Sequence, residues 1–250
     1  MKWLNLYLLF VLGIIPSQMK HNNITGEEKD FLLGKFDPAA HDNFKKAASP
    51  YTFKDGIWLQ IEVLDAFMKM HDAAKKDGIT LHVISATRNF NRQKQIWENK
   101  WLGKTLVGGR NLKITTPDPV ERALIILRYS SMPGTSRHHW GTDIDINSVE
   151  NAYFKTGKGL SEYKWLYENA PAFGFCQPYK NKGTERLSGY EDEPWHWSYL
   201  PVSSQLTEQY QNNISYSDII GFLGCETAEA TKVIENFVLG IHPDCMPFGK

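Results

Sequence analysis

Hydrophobic and polar positions along this chain switch between a helical period and a strand period, and the switches mark its elements. In "IWLQIEVLDAFMKMHDAAKKDG", Ile57, Ile61, Leu64 and Met68 recur on one helical face and Gly78 closes the run. The next stretch, "ITLHVIS" (79–85), alternates as a strand does. Helical spacing returns in "NFNRQKQIWENKW", with Ile96 and Trp97 turned inward, and in "VERALIILRYS" (120–130), stopped by Pro133-Gly134. Between these two, the Gly-rich "GKTLVGGRNLKITTPDP" is a loop or lid candidate. "SEYKWLYENAPAFGF" begins as a helix, "EPWHWSYL" (193–200) is a strand, and the tail from Ser203 predicts a helix near 227–240. Residues 19–50 are polar, with scattered Gly, Pro and Asn, and predict a loosely packed lead-in. Helices and strands mix without regular β-α-β alternation, so the expected class is α+β.

A chain of 250 residues builds a core that needs neither metal nor disulfide to fold. Lys+Arg and Asp+Glu each number 28, so there is no basic footprint for nucleic acid. The opening "MKWLNLYLLFVLGIIPSQ" has a basic start and a short apolar run, the pattern of a signal peptide over residues 1–18. The expected location is therefore outside the cytoplasm, and no later stretch is apolar enough for a transmembrane anchor. Of the three cysteines, Cys225 and Cys245 share the tail and can bridge, whereas Cys176 is expected to pack as a small apolar residue. A monomer is expected.

Chemistry concentrates in two stretches. "TSRHHWGTDID" (135–145) sets two histidines and two aspartates around one glycine, and "EDEPWHW" adds Glu193 and His196. His138, His196 and Asp145 together supply two nitrogens and one carboxylate oxygen. Three protein ligands with a fourth position open are the donor set of catalytic zinc. Strand alternation puts Asp143 on the same face as Asp145, so by pattern alone either carboxylate can bind. Residues three apart on a regular strand face opposite ways, so Glu193 and His196 share a site only if the backbone leaves its pleat near Pro194.

These motifs resemble the zinc D-alanyl-D-alanine carboxypeptidases of the VanY type, in the lysostaphin/D-Ala-D-Ala peptidase/hedgehog group. The family pattern S-x-H-x-x-G-x-A-x-D is met by Ser136, His138, Gly141, Asp143 and Asp145, with Asp143 replacing the usual small residue. E-x-W-H is met by Glu193, Trp195 and His196, and an upstream S-x-x-R with a following Gln by Ser85, Arg88 and Gln93. The resemblance covers roughly residues 50–200. It implies a small antiparallel sheet flanked by helices, with zinc in a groove on the sheet, and a peptidase domain over 51–202 followed by a helical extension over 203–250. It implies His138, Asp145 and His196 as zinc ligands, Glu193 as general base and Arg88 at the oxyanion. Gln93, Ser136 and Trp195 are the implied substrate contacts, and Trp140 and Trp197 are expected as further walls. Asp143 is then expected to orient a ligand imidazole, and His139 to point away from the metal.

The implied partner is a peptidoglycan stem peptide ending in D-Ala-D-Ala. Within the same group, endopeptidases commonly carry Asp-x-Pro-His at the last motif, where this chain has Glu-Pro-Trp-His; a dipeptidase acting on free D-Ala-D-Ala is the other relative. A hedgehog-like module that keeps zinc only to bind a partner needs neither Glu193 nor Arg88.

Overall fold

The computed structural model describes residues 24–246, and the expected export signal lies outside them. Four short strands form the central sheet: β3 (Val83–Ser85), β4 (Asp143–Ile146), β5 (Phe175–Cys176) and β6 (His196–Tyr199). Their order is β3-β4-β6-β5 and every pairing is antiparallel. A separate ribbon pairs β1 (Phe44–Lys46) with β2 (Trp58–Gln60). Register matters most between β4 and β6, where Asp145 lies opposite His196 and Asp143 opposite Ser198. Because alternate side chains point to opposite faces, this one pairing gathers four polar groups on one side of the sheet. It sends Ile144, Ile146 and Trp197 to the other.

That second face closes an apolar core with α2 (Ile61–Lys76) and α6 (Gly157–Asn169), through Val63, Phe67, Met70, Trp165 and Leu166. A second core lies beyond the polar face, built on α3 (Phe90–Trp101), α5 (Pro119–Leu127) and α7 (Leu200–Asn213). Trp97, Trp140, Tyr210, Phe222 and Val238 meet there. The polar site is therefore held between two packed layers.

The lead-in is part of this second core. α1 (Gly26–Leu32) starts at a Thr25/Glu28 capping box, which satisfies its first amide groups. It buries Leu32 and Leu33 to 1% exposure, each worth roughly 1.5–3 kcal/mol. The Leu32 carbonyl also accepts from Trp140 Nε1 at 3.1 Å.

Several elements differ from the sequence pattern. α2 begins only at Ile61, because residues 58–60 pair as β2, and its buried stripe is Val63, Phe67, Met70 and Ala74 with Leu64. Ile61 is exposed. The strand over 79–85 contracts to β3, and that over 193–200 to β6. The Gly-rich segment contains a single helical turn, α4 (Leu112–Thr115). In place of a helix over 227–240 there are tight turns and a five-residue π-turn at Ile234–Val238. The Cys225–Cys245 bridge that the shared tail allows is not formed: Cys176 pairs with Cys245 across 69 residues, and Cys225 is free. The fold brings the tail back over β5, so proximity in sequence was no guide to proximity in space. Among the described residues, no helix is long and apolar enough to cross a membrane.

Candidate metal centre and active site

A single 3₁₀ turn, Arg137–Trp140, delivers His138 to the sheet. Gly141 then reverses the chain into β4 with φ 70°, a left-handed conformation that favours glycine. A Cβ there would stand 2.3 Å from the Phe44 ring. Asp145 and His196 arrive from the two paired strands. His138, Asp145 and His196 present ligand atoms that all lie within 4.8 Å of one another. His138 Nε2 and His196 Nδ1 each lie 3.4 Å from Asp145 Oδ1.

The far side of each imidazole is committed to a hydrogen bond. His138 Nδ1–H donates to the Ala86 carbonyl at 2.8 Å, and His196 Nε2–H donates to Asp143 Oδ2 at 2.8 Å. Each bond fixes a tautomer that leaves the other nitrogen's lone pair for a ligand role. His138 Nε2 and Asp145 Oδ1 are buried without any hydrogen-bond partner. Buried polar atoms are rarely left so, and a cation is the partner that two adjacent electron-pair donors share. The three residues therefore fit a zinc ion by donor type, tautomer and spacing.

Asp143 is fully occupied. Its carboxylate accepts from Arg137 Nε at 3.1 Å, from Ser198 Oγ and Thr142 Oγ1 at 2.8 Å, and from His196. Burial raises its pKa, but the Arg137 guanidinium and the His196 bond outweigh that and hold it well below the usual carboxylate range. Arg137 is itself buried and donates onward to Thr207 and Ser198. For His196 burial opposes protonation, yet the bonds to Asp143 and Glu193 push its pKa up to about 9. A proton on His196 Nδ1 and a metal ion compete for the same lone pair.

Glu193 stands beside this point, its Oε2 3.2 Å from His196 Nδ1. It can do so because the backbone turns at Pro194 and Trp195, closed by His196 N–H donating to the Glu193 carbonyl at 3.1 Å. Burial pushes its carboxyl pKa up. A cavity of about 440 Å³ opens next to it, lined by Arg88, Lys100, His138, Asp145, Glu193 and Trp195 among others. A narrow cleft behind Arg88 is lined by Ser136, Tyr179, Tyr190 and His196. Ser136 Oγ, Tyr190 OH and Arg88 Nε are buried there without hydrogen-bond partners.

Two expected placements are corrected. Trp140 and Trp197 do not wall the cavity: their indole N–H groups donate to the Leu32 and Pro194 carbonyls, and both rings are core. His139 stays out of the ligand cluster, as expected, but from the 3₁₀ turn and not from extended chain. It is buried, with Nδ1–H donating to the Arg88 carbonyl at 2.5 Å and Nε2 accepting from Gly134 N–H at 3.0 Å. Gln93 is buried on α3 with Nε2–H donating to the Ser131 carbonyl, and it lines neither cavity. Lys100 and Tyr190 carried no motif and were not singled out from sequence; they reach the site only through the packing of α3 and of the segment before Glu193.

The family model for VanY, D-alanyl-D-alanine carboxypeptidase, matches residues 56–202. The chain belongs to this family. Among curated relatives, it is 34% identical over 156 residues to the putative carboxypeptidase YodJ of Bacillus subtilis, covering 60% of this chain and 50% of that protein. It is 28% identical over 150 residues to a D-alanyl-D-alanine carboxypeptidase of Enterococcus faecalis, covering 60% and 51% respectively. The chain thus spans about half the length of these relatives. Among solved structures, the LdcB LD-carboxypeptidase matches with TM-score 0.50 and 26% identity, over 72% of this chain and 81% of that one.

Proposed function

We propose that this VanY-family chain is a zinc-dependent D-alanyl-D-alanine carboxypeptidase that hydrolyses the terminal D-alanine of peptidoglycan stem peptides. The observation that carries the reading is the pair of buried, unpartnered donors, His138 Nε2 and Asp145 Oδ1, facing His196 with Glu193 alongside. His138, Asp145 and His196 would hold a zinc ion, which would supply the Lewis acidity that brings a water's pKa down to about 7. Glu193 takes the proton from the attacking water and passes it to the leaving amine. Its raised pKa suits a group that must both accept and release a proton. Arg88, held by its backbone N–H to the His138 carbonyl at 3.1 Å, aims an unpaired guanidinium at the charge developing on the carbonyl oxygen. Ser136 offers a free hydroxyl to the substrate terminus, and Trp195 walls the cavity. Gln93 acts from behind, fixing the Ser131 carbonyl. The Cys176–Cys245 disulfide supports a site of action outside the reducing cytoplasm.

The proton transfers at Glu193 suit any amide, so selectivity comes from the walls and polar anchors. Rates on matched peptides ending in D-Ala-D-Ala, L-Ala-L-Ala and D-Ala-D-Ala carboxamide test this. The second and third should be poorer by about 1–3 kcal/mol or more in transition-state binding. Equal rates on the free and carboxamide forms would refute a carboxypeptidase and favour an endopeptidase.

A further inference from the structure

Arg88 and Lys100 line the same cavity, and neither forms an ion pair among the described residues. Arg88 precedes α3, and Lys100 lies in the last turn of that helix. The half-buried Lys100 ammonium donates to Ser130 Oγ. Among the described residues, no carboxylate lies within ion-pair distance of it. Of the carboxylates that line the cavity, Asp145 faces His138 and His196, Glu193 faces His196 at 3.2 Å, and Glu150 is exposed and forms no ion pair with Lys100. Burial and the neighbouring Arg88 charge push the Lys100 pKa down, against the opposing pull of Glu193. An anion entering the cavity offsets the cost of keeping that charge out of water.

We propose that Lys100 is a second cationic anchor of the substrate, binding a carboxylate of the stem peptide while Arg88 serves the scissile carbonyl. This rests on the peptidase reading above. The carboxylate has two possible sources, the α-carboxylate of the leaving residue or one borne by a residue upstream of the cut. A compact ammonium on a flexible stem accommodates either.

Kinetics of zinc-loaded wild type, Lys100→Met and Lys100→Arg on three peptides test the proposal. The first ends in free D-Ala-D-Ala with an acidic residue upstream. The second carries a terminal carboxamide, and the third has the upstream carboxylate replaced by an amide. Lys100→Met should raise KM at least about tenfold on the first peptide with kcat little changed, and Lys100→Arg should recover much of the loss. The penalty should vanish on the peptide that lacks the carboxylate held by Lys100, which names the source. An equal penalty on all three, or a kcat loss without a KM change, overturns the proposal. Calorimetric binding of the same peptides to Glu193→Gln protein, with and without Lys100→Met, separates anchor from reaction. Wild type that cleaves none of the peptides refutes the peptidase reading; binding unaffected by Lys100→Met refutes the anchor. Zinc content and melting temperature show whether each variant is folded, and Lys100→Gln replaces Lys100→Met if the latter is not.

Discussion

Replacing Asp143 by alanine removes the carboxylate on which Arg137, Ser198, Thr142 and His196 all converge. Both side chains of the Arg137–Asp143 pair have 0% exposure, so the variant leaves a guanidinium buried without its counter-charge. Breaking a buried pair from one side costs about 3–5 kcal/mol. His196 separately loses the acceptor that fixes its Nε2–H and turns Nδ1 toward Asp145. Losing such a partner weakens metal affinity about 10–100-fold, or roughly 1.4–2.7 kcal/mol. Urea unfolding of zinc-free protein reads the first effect, and competition with a chromophoric chelator reads the second. Asp143→Ala should still take up about one zinc per chain at excess metal. The double variant Arg137→Met/Asp143→Leu should regain most of the stability, because both charges leave together, but not the zinc affinity. A stability loss under about 1 kcal/mol with unchanged zinc affinity would refute the reasoning. Zinc lost in Asp143→Ala but kept in Asp145→Ala would place the ligand at 143.

Glu193→Ala should keep its zinc and fold while turnover drops at least roughly a hundredfold; an active variant removes Glu193 from the chemistry. Reducing the Cys176–Cys245 bridge frees a loop of 69 residues and should cost roughly 4 kcal/mol in denaturant unfolding, whereas blocking Cys225 alone should change stability little. Burial, against the bond to the Arg88 carbonyl, holds the His139 pKa down to about 3 from the ordinary 6.5. Between those values the unfolded chain binds more protons, so stability falls as pH drops from about 6.5 toward 3, by up to about 1.4 kcal/mol per unit. Unfolding free energies that stay flat between pH 6.5 and 4 would contradict this.

The site was legible where chemistry is local in sequence. His138 and Asp145 belong to one short motif, and Glu193 and His196 to another, and Pro194 already signalled the break in pleating that lets the latter pair share a face. Alternation alone leaves Asp143 and Asp145 on one face; the motif register picks Asp145, and in the structure Asp143 is saturated by hydrogen bonds. Lys100 and Tyr190 were invisible because their approach to the site is set by packing between distant segments. The same is true of Cys176 and Cys245, which meet only when the tail folds over β5. On α2 the apolar period is helical, but the buried stripe runs through Val63, Phe67, Met70 and Ala74 and leaves Ile61 exposed. The indoles of Trp140 and Trp197 are core because the turn at Arg137–Trp140 and the pleat of β6 aim them away from the cavity.

Mass spectrometry of a stem peptide ending in D-Ala-D-Ala, after incubation with this protein, tests the central claim most directly. The peptide should lose a single D-alanine, and the loss should be abolished by a chelator and restored by zinc. An unchanged peptide, release of the intact dipeptide, or the same cleavage in chelator-treated protein would contradict it.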